Sequence, residues 1–156
     1  MMKYKDLYRW LLLSCLVVTA SACSQQRVHL QTIYSSNDCA LREPVIRSIH
    51  TPAELTEIIQ SKPVNFSQTP LVLPEVDFDK QSLVLYAIGQ KPTAGYSIEL
   101  YRDEASIKEQ TLYLPVRVKS PEVGNFQAQV ITSPCQIYSL PLTDYAAIVV
   151  ENNVAD

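Results

Sequence analysis

The sequence predicts a mainly β domain, an antiparallel sandwich or barrel-like fold of seven or eight strands with one short helix near residues 52–60. Three observations carry this expectation. Short runs alternate apolar with polar residues, as at Tyr96–Tyr101 and Leu112–Lys119. Turn-forming clusters and scattered Pro separate them, there being ten Pro against three Gly. Helical spacing of apolar residues is read in one place only, at Leu55, Ile58 and Ile59.

Taken in order, Val28–Thr32 alternates and reads as a first strand, closed by the turn cluster Ser35-Ser36-Asn37-Asp38. Val45–Ile49 forms a short extended segment. Thr51-Pro52-Ala53-Glu54 then supplies an N-cap, a Pro at the first helical position and the Glu of a capping box, and Pro63 stops the helix. Pro70 and Pro74 bracket a loop leading to Val76-Asp77-Phe78. Ser82–Ile88 is almost continuously apolar and suits a strand covered on both faces. Tyr96–Tyr101 and Leu112–Lys119 follow, Pro115 marking an edge or bulge because it cannot donate to a ladder. Phe126–Val130, Gln136–Leu140 and Tyr145–Val150 complete the set.

The beginning of the chain has a different character. Lys3, Lys5 and Arg9 form a positive region before the apolar run Leu11–Ala20, which is too short to span a bilayer as a helix. Ala20-Ser21-Ala22-Cys23 resembles a bacterial lipobox, so 1–22 is expected to be a lipoprotein signal and Cys23 the lipidated N-terminus. Plain secretion after an ordinary signal-peptidase site and an uncleaved anchor are the other readings. Residues 23–27 are then a short tether, and 28–156 one domain at a membrane it reaches through its lipid. Ser24, where an inner-membrane retention signal would have Asp, favours the outer membrane, facing the periplasm or the surface.

Removal of the signal leaves 134 residues with ten basic and fifteen acidic side chains, a net charge of −5 in place of −3. That balance argues against nucleic acid as a partner, which calls for a basic face. Three Gly at 89, 95 and 124 build neither a dinucleotide fingerprint nor a phosphate loop. No Cys pair has metal-ligand spacing, so neither metal nor cofactor is expected. Once Cys23 is assigned to lipid, Cys39 and Cys135 remain. In an oxidising compartment an isolated pair most simply forms a disulfide, two separate buried thiols being the alternative.

His29 and His50 read as surface histidines, and Asp77 and Asp79 beside Lys80 as a solvated strand entry. No catalytic residues are assigned and no enzymatic activity is expected. One segment stands out as a candidate binding loop: Lys91, Pro92, Thr93, Ala94, Gly95 and Tyr96. Pro92 presets φ, and Gly95 suits the third position of a type II turn over Thr93–Tyr96 that would hold Lys91 and Thr93 outward. A plain hairpin is the competing reading.

Val76-Asp77-Phe78, Leu83–Ile88, Gly89-x-x-Pro92-Thr93-x-Gly95-Tyr96-Ser97-Ile98 and Ser133-Pro134-x-x-Ile137 together resemble the PrcB C-terminal-domain family, with Ala94 where that family commonly has Gly. The resemblance covers roughly Val76–Leu140. It implies a noncatalytic accessory subunit, lipidated or secreted, that binds and stabilises a partner protein such as an envelope or surface protease. The loop Gly89–Tyr96 is also similar to the Asn-Pro-Thr-Thr-Gly-Tyr loop of chagasin-type cysteine-protease inhibitors, which are immunoglobulin-like sandwiches. Lys91 replaces the Asn, Gly124 stands alone in the second loop, and the third candidate loop reads Ser133-Pro134-Cys135. Protease inhibition through Gly89–Tyr96 is therefore the alternative function.

Overall fold

A computed structural model of the chain describes residues 25–60, 74–122, 124 and 126–151. The expected signal over 1–22, Cys23, Ser24, Pro63 and Pro70 lie outside them. The described strands are β1 (Gln26–His29), β2 (Gln31–Ser36), β3 (Pro44–Ile49), β4 (Gln81–Ile88), β5 (Ser97–Leu100), β6 (Glu104–Lys108), β7 (Thr111–Leu114), β8 (Val116–Lys119), β9 (Cys135–Pro141) and β10 (Ala147–Val150), with α1 (Pro52–Gln60) between β3 and β4. Sheet I has the order β1-β6-β7-β10 and sheet II the order β2-β9-β4-β3, while β5 and β8 form a two-stranded ribbon. The fold is thus mainly β and sandwich-like, with no closed barrel. All the described elements but β6 overlap segments that the sequence marks out, and the strand count exceeds the expected seven or eight for two physical reasons.

First, single alternating runs are divided between sheets. Val28–Thr32 breaks at Leu30: β1 pairs with β6 and β2 with β9, and the Leu30 N–H donates to Asp103 O at 2.7 Å at the crossing. Leu112–Lys119 breaks at Pro115, so β7 joins sheet I and β8 pairs with β5. Pro115 is not at a free edge but is fully buried at this sheet switch, where its missing N–H is no loss to either ladder. Second, β6 is an element that the alternation did not announce. The arrangement is also not wholly antiparallel, because β10 pairs with β7 in parallel.

Sheet II lies between two apolar layers. Val84 and Ile88 of β4 join Tyr138 and Leu140 of β9 in the core against sheet I, with Ala105, Ile107, Leu112 and Leu114. Leu83, Leu85 and Ala87 face the other way, packing with Ile137 and with Leu55, Ile58 and Ile59 of α1. This is why β4 lacks a polar phase: both its faces are buried. At the start of α1 the Glu54 N–H donates to Thr51 Oγ1 at 3.2 Å, and Glu54 Oε2 accepts from the His50 N–H at 3.0 Å, one residue before the cap.

Phe126–Val130 is not a strand. It has no place in any sheet, and Phe126 is 96% exposed. Alternation here creates an apolar outer surface rather than a core face.

Candidate functional site

Gly89 follows β4 directly with φ +71°, and a Cβ there would stand 2.8 Å from Arg42 O and 2.9 Å from Pro44 N. Only Gly permits this approach, which the Gln90 N–H completes by donating to Arg42 O at 2.9 Å. The chain then leaves sheet II, since β5 pairs with β8 and not with β4. Gly89–Tyr96 is accordingly a crossing between sheets and not a hairpin.

The loop takes its support from the segment 126–133. Lys91 and Thr132 form an isolated antiparallel bridge, Lys91 N–H to Thr132 O at 2.8 Å and Thr132 N–H to Lys91 O at 3.0 Å. The Ala94 N–H donates to Ala128 O at 3.0 Å, and the Thr132 hydroxyl donates to Thr93 O at 3.2 Å. Thr93 O is therefore engaged across the gap, where the expected type II turn would have used it to accept from Tyr96. Gly95 does take positive φ, +93°.

These bonds decide which side chains are presented. Pro92 and Gly95 are exposed, whereas Lys91, Thr93, Ala94 and Tyr96 are half-buried. Lys91 does not reach outward, since its Nζ lies 5.7 Å from the centroid of the Tyr96 ring, within cation–π range. Tyr96 in turn packs on the core between the sheets. The two stretches make one lip, and its second half carries the exposed apolar groups: Phe126 at 96%, Ile131 at 71% and Val130 at 51% exposure. Sequence reasoning assigned Phe126 and Val130 to a strand and so missed this surface. Their alternation was legible, but the lack of a strand partner was not.

Ser133-Pro134-Cys135 plays a different part. Ser133 is buried, its hydroxyl donating to Leu41 O at 2.6 Å and accepting from the Leu41 N–H at 3.0 Å. Its backbone bonds to Asn37 O and the Cys39 N–H, Pro134 O accepts from the Ile88 N–H, and Cys39 is joined to Cys135 by a disulfide with 6.0 Å between the Cα atoms. This motif is a latch spent inside the domain, so a three-loop wedge of the inhibitor type lacks its third loop here.

The remaining candidates are dispersed. His29 is exposed on β1, its Nδ1 3.8 Å from an Asp103 carboxylate, and His50 is exposed before α1. Asp77 caps its own turn, accepting from the Asp79 N–H at 3.1 Å and from Lys80 Nζ at 2.6 Å, as befits a solvated strand entry. No group of three potential metal ligands occurs among the described residues.

Residues 82–141 match the PrcB C-terminal family, a match that takes in most of the resembling stretch Val76–Leu140 but not Val76-Asp77-Phe78. Comparison with curated proteins and with solved structures finds no match.

Proposed function

We propose, from the match of residues 82–141 to the PrcB C-terminal family, that the protein is a noncatalytic accessory lipoprotein of the bacterial envelope. It binds and stabilises a partner protein, a protease being the class that the family resemblance implies. The observation that carries the binding role is the lip: both its halves, Lys91–Tyr96 and Phe126–Ile131, lie inside the matched stretch, and they turn Phe126, Val130 and Ile131 outward. Exposed apolar groups rimmed by polar residues are a feature of docking surfaces. The bonds from Thr132 and Ala128 hold the loop in shape before a partner arrives, which lowers the ordering cost of association. Cys23 would carry the lipid, and because β1 already begins at Gln26 the tether would shrink to Ser24-Gln25, keeping the domain close to an outer-membrane surface.

A photo-crosslinking residue at Pro92 or Phe126, in the full chain expressed in its own bacterium, tests the reading. The expected product is one discrete adduct, identified by mass spectrometry as an envelope protease. Absence of an adduct at both positions overturns the lip as the docking surface. An adduct whose protease is tightly inhibited by the purified domain would favour the inhibitor function. For the anchor, mass spectrometry of membrane-extracted protein should find diacylglyceryl-modified Cys23 at the N-terminus, and any other mature N-terminus removes that part of the reading.

A further inference from the structure

A second surface, apart from the lip, lies where the two sheets end side by side. β3 is a terminal strand of sheet II and β10 a terminal strand of sheet I, so among the described residues each is hydrogen-bonded along one edge only. The two strands meet, and a hydrogen bond of 3.0 Å between Ser48 Oγ and Tyr145 OH ties β3 to the entry of β10. Along them runs an open groove of about 500 Å³, walled by Ile46, Tyr145 and Ile148, with Arg47 and Glu54 at its rim. A hollow of about 260 Å³ continues it past Ser48 and His50 to Phe78 and Leu142.

The phase of the ladder shows what backbone this edge offers. The Ile88 N–H donates to Pro134 O, so the even-numbered residues of β4 direct their backbone groups to β9 and the odd-numbered ones to β3. In register, Val45, Arg47 and Ile49 of β3 are opposite Ala87, Leu85 and Leu83 and bond to them. The N–H and C=O of Ile46 and Ser48 therefore point away from β4, along the free edge. Natural edges are blunted by Pro, charge or bulges, and β3 has Pro44 at its start and Arg47 in its middle. Between these devices the donors and acceptors of Ile46 and Ser48 stay available.

We propose that this edge receives an extended segment of a partner protein, which adds a strand to sheet II antiparallel to β3. The match is one of backbone charge: two N–H and two C=O groups in strand geometry are complemented by another strand, not by a helix or a small molecule. Residues opposite one another in an antiparallel pair share a face. The segment's side chain opposite Ile46 would enter the groove toward Ile148 and should be apolar, and that opposite Ser48 should be small or polar beside Tyr145. The volume suits three or four residues of chain.

The probe is the synthetic peptide acetyl-Lys-Thr-Ser-Thr-Val-Thr-Lys-amide, whose Val and Ser stand two apart as Ile46 and Ser48 require, added to ¹⁵N-labelled protein covering the mature domain. Exchange of the Ile46 and Ser48 amide protons is expected to slow at least tenfold at saturation, with no comparable change at Lys91 or Thr132. Ser48→Pro removes one edge donor at a position where the ladder does not use it, and should weaken binding at least tenfold. Ser48→Ala keeps the N–H and should bind like the parent. Binding that is equal in the Pro and Ala variants, or no slowing at Ile46 and Ser48 at millimolar peptide, overturns the proposal. Should Ser48→Pro not fold, the exchange result on the parent protein decides alone. Slowing that grows with protein concentration in the absence of peptide would assign the edge to a second copy of the chain and equally overturn it.

Discussion

Lys91 and Thr132 exchange backbone hydrogen bonds in both directions, 2.8 and 3.0 Å, although neither belongs to a named strand. The pair joins the loop after β4 to the segment before β9, and the disulfide at Cys135 sits only three residues beyond Thr132. The candidate binding surface is consequently braced by the same stretch of chain that is latched to 37–41. Shape in the lip depends on cross-segment bonds more than on local turn chemistry.

Gly95 is the position where this dependence is most exposed to mutation. A Cβ there would lie 2.6 Å from Gln127 Oε1 and 3.2 Å from the Pro121 ring, at φ +93°. Gly124 shares the same φ but has nothing within 4 Å of an added Cβ. Gly124→Ala should therefore cost about 1–2 kcal/mol from backbone strain alone. Gly95→Ala should cost roughly 1 kcal/mol more, since the Gln127 side chain can swing away but the Pro121 ring cannot. Urea midpoints of the two variants check the difference, and equal midpoints would show that the lip opens freely.

The buried disulfide closes a sequence separation of 96 residues. In the loop-entropy model such a link contributes about 4–5 kcal/mol. Replacing both Cys39 and Cys135 by Ser should lower the urea midpoint accordingly. In the native protein neither sulfur should react with alkylating reagent, and thiols should appear only after reduction under unfolding conditions. Alkylation of both residues without reductant would contradict the linkage.

Glu99 on β5 is held between Lys119 Nζ at 2.6 Å and Arg117 Nη2 at 3.2 Å, both on β8. Its carboxyl lies below the usual value, first through the hydrogen bond from Lys119 and then through Arg117, against an opposing effect of desolvation. A depressed carboxyl stabilises the fold above its unfolded pKa, and that stabilisation fades as pH falls through the folded value. The ribbon β5–β8 should thus weaken below about pH 4.5, and more so in low salt, where the pairs are least screened. Glu99→Gln should flatten this acid limb of a urea-midpoint profile between pH 3 and 7, while Glu104→Gln, with its looser 3.5 Å contact to Arg27, should change it less.

Much of this architecture was legible in the residues. α1 appeared at its own boundaries because Thr51, Pro52 and Glu54 write a start signal that is local. β4 was legible because burial on both faces erases the polar phase. What alternation cannot encode is the partner of a strand. Leu30 and Pro115 interrupt no pattern, yet each passes the chain from one ladder to another. Phe126–Val130 carries a strand pattern with no ladder to join, and so the apolar half of the lip went unread. β6 was hidden for the opposite reason. Of the nine residues 102–110 five are charged, and only Ala105 and Ile107 mark the inward face.

The turn that joins β6 to β7 shows how the same stretch escaped notice and offers a sharp test. Lys108 pairs with Thr111, so Glu109 and Gln110 form a two-residue hairpin turn, with φ of +48° and +60°. Two consecutive residues in the left-handed region are the signature of a type I′ turn, whose preferred sequence is Asn-Gly. Glu-Gln carries no such signal and bears the steric cost of a Cβ at both positions. The turn is kept because it also anchors β10: the N–H groups of Ala146 and Ala147 donate to Gln110 O at 2.7 and 3.2 Å. Those bonds use the backbone alone, so Glu109→Asn with Gln110→Gly leaves them in place. The double variant should raise stability by about 1 kcal/mol, seen as a higher urea midpoint at unchanged slope. Gln110→Val places a β-branched residue at φ +60° and should lower stability by about 1–2 kcal/mol. A midpoint that moves the same way in both variants would mean that this turn is not left-handed in solution.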